Sequence, residues 1–288
     1  MAARILDGRA LASELREEIA TRAKRLRARG VAPCLVVAIV GEDAASVAYV
    51  RSIEREGARA GVDVRVDTLH ADADEETLRE RLRALGADAA VHGIILQQPL
   101  PPHLGIRRVA EAMPAQKDVD GANPVNLGRL AFASGTEFVP ATPQACMLLL
   151  ERSRRWPLRG VRACVVGRSN VVGLPVSLLL MARDATVTVT HQETRDLAHH
   201  TRDAEIVVVA TGVPGLITRD MIAPGATVID VGTTFVDGKL VGDVAYAEVA
   251  EIAGEITPVP GGVGPVTNVA LMRNVVLAAE RLAPPSSP

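Results

Sequence analysis

Apolar and polar positions follow different periods along the first third of the chain. Residues 8–27 repeat leucine and isoleucine at helical spacing, which predicts an amphipathic helix that ends at Gly30. A continuous apolar run at 34–41 has strand length, and such runs are typical of strands buried on both faces of a parallel sheet. Four more predicted elements follow, namely a helix at 46–60, a half-buried strand at 62–66, a helix at 74–85 that Gly86 closes, and a strand at 93–98. This alternation indicates an α/β layer on a parallel sheet.

A second series of strands occupies the later part of the chain. After a predicted helix at 143–152 and before a terminal helix at 269–277, four strands are predicted at 162–167, 185–190, 205–211 and 226–232. These strands end at Gly167, at the polar turn after Thr190, at Gly212 and at Gly232. In an open α/β sheet the ligand binds outside the carboxyl ends of the strands, so we expect these four turns to surround a ligand.

Composition excludes several classes of protein. The chain has 288 residues, enough for two domains, and its formal net charge of -2 creates no overall field that attracts polyanions. Aromatic residues make up 2% of the chain, too few for a surface that stacks bases, so we expect no nucleic-acid partner. No apolar run reaches about 18 residues, so we expect no membrane segment and a soluble, cytoplasmic protein. The cysteines have no zinc or redox spacing, and we expect no bound metal.

One local segment has the character of a phosphate-binding turn. The segment 167–175, GRSNVVGLP, follows a predicted strand and opens a helix, with Pro175 suited to its first turn. Backbone N–H groups at the start of a helix bind phosphate, and glycines let a dinucleotide approach the chain closely. The segment departs from the fingerprint G-x-G-x-x-G, and alone it is as typical of a structural turn as of a cofactor site.

Five segments taken together are far more specific. GRSNVVGLP is joined, in one order and spacing, by GIILQQPLP at 93–101, KDVDGANPVNLGRL at 117–130, PATP at 140–143 and ITPVPGGVGPVT at 256–267. With these segments the chain resembles the methylenetetrahydrofolate dehydrogenase/cyclohydrolase family from Ile5 to its final helix. The resemblance implies that the protein oxidises 5,10-methylenetetrahydrofolate to 5,10-methenyltetrahydrofolate with NADP or NAD, and that the product is hydrated to 10-formyltetrahydrofolate.

The same resemblance implies a two-domain α/β architecture and a homodimer. Residues 1–140 and 268–288 are expected to form the folate-binding catalytic domain, with the last helix packed back onto it. Residues 141–267 are expected to form a Rossmann-like NAD(P)-binding domain, with tetrahydrofolate in a cleft between the two domains.

Site residues can be carried over from the family position by position. Tyr49 matches the tyrosine that stacks on the folate, Gln97 the glutamine beside the reacting carbon, and Asp120 the carboxylate that holds the pterin nitrogens. Taken singly, each has a structural interpretation, since a tyrosine on a helix is usually a core residue and an aspartate before a glycine usually belongs to a turn. The resemblance implies further folate contacts at Ser46, Pro260, Gly261 and Gly262. It implies cofactor contacts at Gly167, Arg168, Ser169, Val172, Gly173, Pro175, His191, Gln192, Thr211, Gly212, Val231, Gly232 and Thr267.

One catalytic position differs from the family. The family places a lysine four residues after the tyrosine, where ring and ammonium share a helix face, but this chain has Ile53 there. The chain uses arginine in place of lysine at almost every basic position, but this bias would put an arginine at position 53 and so keep a cation there. Isoleucine has neither a charge nor a hydrogen-bond donor. The family assigns hydration to that lysine together with Gln97. We therefore expect cyclohydrolase activity to be weak or lost while dehydrogenase activity survives.

The choice between the two nicotinamide cofactors depends on two residues. Arg168 can pair with a 2′-phosphate, which favours NADP. Glu193, after the second strand of the series, suits the free ribose 2′-hydroxyl of NAD. On balance the pattern favours NADP.

Two alternatives to this function stay open. One is a paralogue recruited to another pterin or one-carbon reaction. The other is a folate-binding protein without turnover, because Ile53 removes the main catalytic group of the family. The intact segments 167–175 and 259–265 argue against the second alternative, since a protein that only holds folate needs no cofactor site.

Overall fold

The chain forms two compact units. The structure, a computed structural model, describes residues 3–41, 44–133, 135 and 138–284, and it describes residues 44–48 and 107 by their backbone alone. Unit 1 consists of the residues up to Ala12 and Thr142–Thr267, and unit 2 consists of Ser13–Ala141 and the residues from Asn268 onward.

Strands and helices alternate through both units. The strands are β1 (Arg4–Ile5), β2 (Cys34–Val40), β3 (Asp63–Leu69), β4 (Gly93–Leu96), β5 (Arg162–Val166), β6 (Thr186–Thr190), β7 (Ile206–Val209), β8 (Thr227–Asp230), β9 (Thr234–Val236), β10 (Lys239–Val241) and β11 (Glu255–Ile256). The helices are α1 (Gly8–Ala28), α2 (Ala44–Ala60), α3 (Glu75–Ala87), α4 (Ile106–Ala110), α5 (Pro124–Ala131), α6 (Ala141–Leu150), α7 (Gly173–Met181), α8 (Leu197–Arg202), α9 (Tyr246–Val249) and α10 (Val263–Leu282), with a short 3-10 helix at Arg219–Met221.

Unit 2 is built on a parallel sheet with the strand order β3-β2-β4. The central strand β2 is buried along its whole length, as the apolar run at 34–41 predicts. Alternate residues of β2, among them Val36 and Val40, pack with Leu78 and Leu82 of α3 in one hydrophobic core. Helix α2 contacts β3 closely, because a Cβ at Gly57 would lie 2.4 Å from Val64 Cγ2.

The second half of helix α10 packs onto unit 2. The Asn274 side-chain amide donates to the carbonyl oxygens of Val119 and Val139 at 2.8 and 2.9 Å. Arg22 on α1 forms an ion pair with Glu280 on α10 at 2.7 Å. These contacts attach the last helix to the same unit as the β2 sheet.

Unit 1 is built on a six-stranded parallel sheet with the order β1-β11-β8-β7-β5-β6. Strands β7 and β8 are buried along their whole length. The chain order reverses at β5, since β6 lies on one side of it and β7 on the other. In an open parallel sheet such a reversal opens a crevice at the carboxyl ends of the strands, which is where a ligand binds.

Helix α3 does not end at Gly86, and that prediction is wrong. The helix continues to Ala87 and its cap is Asp88. A Cβ at Gly86 would lie 2.4 Å from Cδ of Pro114, so close approach of that proline, and not helix termination, requires the glycine.

Residues 3–12 lie in unit 1. The predicted boundaries placed them with residues 13–140, so this part of the boundary differs. The reason is the two-residue strand β1, in which Arg4 pairs with Glu255 and Ile5 with Ile256 of β11.

The hairpin β9–β10 and the short helices α4 and α5 were not predicted from the sequence. Strands of two or three residues are too short to show a period.

Within the part of the chain that the structure describes, every helix is too short or too polar to cross a lipid bilayer.

Candidate active site

Two positions in the turn after β5 accept only glycine. Gly167 has a φ of 112°, and a Cβ there would lie 2.2 Å from the carbonyl oxygen of Ala210. A Cβ at Gly173 would lie 2.0 Å from the carbonyl oxygen of Gly167. Ser169 Oγ accepts hydrogen bonds from the N–H groups of Val172 and Gly173 at 3.2 and 3.4 Å. The turn is therefore tightly wound at the start of helix α7, in which Pro175 is the third residue.

A cavity of about 600 Å³ lies at this turn. Its volume is in the range of small-molecule sites, and it opens where the strand order of the sheet reverses. The wall contains residues from the turns after β5, β6 and β7. Six of the residues predicted to bind the cofactor line it: Gly167, Arg168, Ser169, His191, Gln192 and Thr211.

The remaining predicted cofactor residues lie in four other places. Val172, Gly173 and Pro175 form the start of α7, and Gly212 follows Thr211 at the end of β7. Val231 and Gly232 line a second cavity of about 120 Å³ together with Pro260, Gly261 and Gly262, which are predicted folate residues. Thr267 lies on α10, where its hydroxyl donates to the Val263 carbonyl oxygen at 3.2 Å.

The two residues that bear on cofactor choice differ in their surroundings. Arg168 is exposed on the wall of the larger cavity and forms no ion pair with any residue that the structure describes. The turn after β6 is held by the His191 N–H, which donates to Thr194 Oγ1 at 2.9 Å, while His191 Nδ1 accepts from the Glu193 N–H at 3.3 Å. Glu193 is exposed, and among the described residues that line the larger cavity Arg168 supplies a guanidinium.

In unit 2, the residues around Asp120 run alongside strand β4. The Ile94 N–H donates to the Lys117 carbonyl oxygen at 2.7 Å, and Ile94 pairs with Asp118 in parallel register. Asp120 follows Asp118 by two residues, and Gln97 directly follows Leu96, the last residue of β4. Both predicted folate residues therefore come shortly after the paired positions Asp118 and Ile94 of two neighbouring segments.

The carboxyl of Asp120 is in an unusual electrostatic state. Burial raises its pKa to about 7, partly offset by a hydrogen bond from the Ala141 N–H at 3.3 Å, and the Asp118 carboxylate raises it further. Burial and the nearby Asp120 carboxyl also raise the pKa of the Tyr49 hydroxyl. The ring of Tyr49 is partly accessible, with 36% of the residue exposed. The Gln97 side-chain amide donates to the Gln98 carbonyl oxygen at 2.6 Å.

Ile53 lies one helical turn after Tyr49 on α2 and is fully buried, with 0% exposure. The neighbouring Arg51 and Arg55 are exposed on other faces of the helix. Lys117 is buried, and its ammonium donates to the Asp88 carbonyl oxygen at 2.7 Å, beyond the amino end of β4 and opposite the edge with Gln97. None of these cations takes the place of the family lysine.

Ser46, another predicted folate residue, is one of those described by backbone only, so its side chain lies outside the described part of α2. Two side chains nearby form a contact that the sequence analysis did not find. Ser52 Oγ donates to the Tyr49 carbonyl oxygen at 2.7 Å and accepts from the Asn268 side-chain amide at 3.4 Å.

Two buried aspartates close to the turns after β7 and β8 were also missed. Asp230 ends strand β8 and is 2% exposed, and Asp243 follows β10 and is 0% exposed. The Asp243 carboxylate accepts hydrogen bonds from Thr211, which lines the larger cavity, and from the adjacent Gly212. An acidic residue inside the apolar run 226–232 is the sequence signal that would have found Asp230.

The fold and the glycine turn define a two-unit α/β protein whose unit 1 is a Rossmann-like nucleotide-binding unit. Family models identify its family. Residues 6–120 match the tetrahydrofolate dehydrogenase/cyclohydrolase catalytic domain, and residues 140–283 match the NAD(P)-binding domain of the same family. The chain belongs to the tetrahydrofolate dehydrogenase/cyclohydrolase family, as the resemblance predicted.

Individual relatives extend over the whole chain. A protein of Cupriavidus necator named bifunctional protein FolD is 50% identical, over 98% of this chain and 100% of its own length. The crystal structure of the bifunctional FolD enzyme of Campylobacter jejuni is 38% identical with a TM-score of 0.95, covering 97% of this chain and 99% of that one. The Trypanosoma brucei enzyme, complexed with NADP cofactor and inhibitor, is 38% identical with a TM-score of 0.91, covering 98% of both chains.

Proposed function

We propose that the protein oxidises 5,10-methylenetetrahydrofolate with NADP as acceptor and has little or no methenyltetrahydrofolate cyclohydrolase activity. The observation that carries the proposal is the fully buried Ile53 at the position of the family lysine, on the same helix as Tyr49. The relatives are named as bifunctional enzymes, so the proposal separates this chain from them in one of two half-reactions.

The residues for the oxidation step are present. Asp120 holds the pterin nitrogens when its carboxyl is ionised, because a carboxylate only accepts hydrogen bonds. Tyr49 offers a partly exposed ring to a flat face of the folate. NADP, when bound, accepts the hydride, and the folate's own nitrogens stabilise the cation that is left. The task of the protein is therefore mainly to position the reacting groups.

The residues that present NADP also fit their ligand. Gly167 and Gly173 leave a turn in which added side chains would collide with the backbone, and the N–H groups of the turn start a helix. The unpaired Arg168 on the cavity wall supplies a guanidinium for a 2′-phosphate. The complex of the Trypanosoma brucei relative with NADP agrees with this choice.

The hydration step needs a group that the described residues of this site do not provide. Water must be oriented and deprotonated before it adds to the methenyl carbon. Ile53 has no proton to exchange, and the amide of Gln97 can orient a water but is not a base. Arg51 and Arg55 are exposed, and a guanidinium stays protonated in proteins and does not act as a base.

A paired assay on one preparation tests the proposal. We expect reduction of NADP with methylenetetrahydrofolate, a much smaller rate with NAD, and slow hydrolysis of methenyltetrahydrofolate. A hydrolysis rate ordinary for the family would overturn the loss of cyclohydrolase activity. Folate binding without reduction of either cofactor would favour the non-catalytic alternative, and turnover restricted to another pterin would favour the recruited paralogue.

The resemblance also leads us to propose a homodimer. Light scattering at micromolar concentration measures the mass directly, and a monomer of 30.3 kDa would contradict this part of the proposal.

A further inference from the structure

The Asp243 carboxylate holds the turn after β7. Its Oδ2 accepts three hydrogen bonds, from the Thr211 N–H at 2.6 Å, from the Thr211 hydroxyl at 2.9 Å and from the Gly212 N–H at 2.9 Å. Thr211 lines the larger cavity, so a fully buried charge lies directly behind that wall. The three donors belong to residues beyond the end of β7, where the sheet itself no longer orders the backbone.

A second carboxylate connects Asp243 to the turn after β8. Asp230 Oδ1 accepts from the Gly232 N–H at 2.9 Å and from the Asp243 N–H at 3.0 Å. Its Oδ2 accepts from the Val244 N–H at 3.1 Å. The two aspartates therefore link three segments that are far apart in sequence: the turn after β7, the turn after β8 and the segment after β10.

The fit around these two carboxylates leaves no room for rearrangement. A Cβ at Gly232 would lie 2.2 Å from Asp243 Oδ1, and a Cβ at Gly242 would lie 1.9 Å from Asp230 Oδ2. Asp243 Oδ1 is buried and has no hydrogen-bond partner among the residues that the structure describes. Burying a carboxylate is costly unless its hydrogen bonds compensate, and those of Asp243 all come from Thr211 and Gly212 in the turn after β7.

We infer that Asp243 is a positioning residue for the dinucleotide: it holds Thr211 and Gly212 in the place from which they contact the cofactor, and it fixes that turn relative to Gly232. The inference rests on the cofactor site of the proposed function. Asp243 acts from behind the wall and through other residues, so its removal loosens the turn and weakens cofactor binding. Because it does not touch the reacting atoms, the rate at saturating cofactor depends on it less.

Replacement of the charge tests the inference. Asp243→Asn keeps the shape but weakens the charge-assisted hydrogen bonds and places amide donors where Oδ1 has no acceptor. We expect the Kd of NADP, measured by calorimetry, and its KM to rise about tenfold or more, with kcat changed less than about threefold.

Glu255→Gln is the matched control. Glu255 is also a buried carboxylate of unit 1, with 1% exposure, and it accepts from Thr227 Oγ1 at 2.8 Å and pairs with Arg4 at the amino end of the same sheet. We expect this variant to lose thermal stability and to keep the wild-type Kd for NADP. Equal weakening in both variants would mean a general loss of structure and would overturn the inference, as would an unchanged Kd in Asp243→Asn.

Two further results separate the possible failures. If the unchanged protein does not bind NADP, the proposed function is wrong, and the Asp243 inference falls with it. If Asp243→Asn does not fold, hydrogen exchange in the unchanged protein decides. We expect the Thr211 and Gly212 amides to exchange as slowly as those of β7, although they lie in a turn. Rapid exchange at both amides would refute the positioning role.

Discussion

Restoring the lysine at position 53 is the most direct perturbation of the proposed function. Ile53→Lys puts an ammonium one helical turn from Tyr49, on the face where the family has it. General acid–base catalysis contributes about 10²–10⁴-fold, so we expect hydrolysis of methenyltetrahydrofolate to rise at least about a hundredfold. The rate of hydride transfer should change little, because that step depends mainly on positioning.

The cost of this substitution follows from the complete burial of Ile53. Burial lowers the pKa of an ammonium, and catalytic lysines are tuned to about 7–8 compared with about 10.4 in the unfolded chain. A difference of about 3 pKa units corresponds to about 4 kcal/mol. Because the folded-state pKa is the lower one, this penalty is fully present below about pH 7 and disappears as the pH rises past about 10. The stability of the variant should therefore approach that of the unchanged protein at alkaline pH.

Two assays and one control variant decide this prediction. Hydrolysis is followed by the loss of methenyltetrahydrofolate absorbance, and stability by urea unfolding between pH 6 and 10. Ile53→Met adds length without charge and should cost less than about 1.5 kcal/mol, with no gain in hydrolysis. A folded Ile53→Lys protein that hydrolyses no faster than the Ile53→Met control would refute the assignment of the deficit to this position.

Four further predictions concern the cofactor and folate residues. Because burial raises the pKa of Asp120 to about 7, its carboxyl holds the pterin only above that pH, so kcat/KM for the folate should fall below pH 7. Because the pKa of Asp120 is higher in the folded protein than in the unfolded chain, stability is lost as the pH rises through about 7. Asp120→Asn should therefore raise Tm more at pH 8 than at pH 4, and an equal change in Tm at the two pH values would contradict this. Gly173→Ala places a Cβ 2.0 Å from the Gly167 carbonyl oxygen and should abolish NADP binding in calorimetry, whereas Gly128→Ala, with nothing within 4 Å, should leave it unchanged. Arg168→Ala should raise the KM of NADP about tenfold and that of NAD less than about twofold, and equal effects in initial-rate measurements would remove its proposed role.

The parts of the fold that the sequence predicts are those with a long, regular pattern. The apolar run that became β2 has seven consecutive buried positions, and only a strand at the centre of a parallel sheet buries that many. The turns after β5, β7 and β8 could be placed because each ends an apolar run with a glycine. The family was predicted from five segments in order, and the family models confirm it.

The parts that could not be predicted depend on partners distant in sequence. Gly86 has the signature of a helix end, but the contact that requires glycine comes from Pro114. The role of Asp243 could not be predicted either, because nothing around it in sequence shows that its carboxylate accepts a hydrogen bond from Thr211, which lies 32 residues away in the chain. The roles of Tyr49, Gln97 and Asp120 stay predictions that come from the resemblance to the family.

The pairing of β1 with β11 has a consequence for the order in which the protein is made. Arg4 and Glu255 are separated by 251 residues. At about 5–20 residues per second, synthesis of that interval takes about 13–50 s. During this time β1 has no strand to pair with, because β11 is the last strand of the sheet to be made. The sheet that carries the cofactor cavity is therefore completed only when β11 has been made, and removal of either β1 or β11 shortens the same sheet.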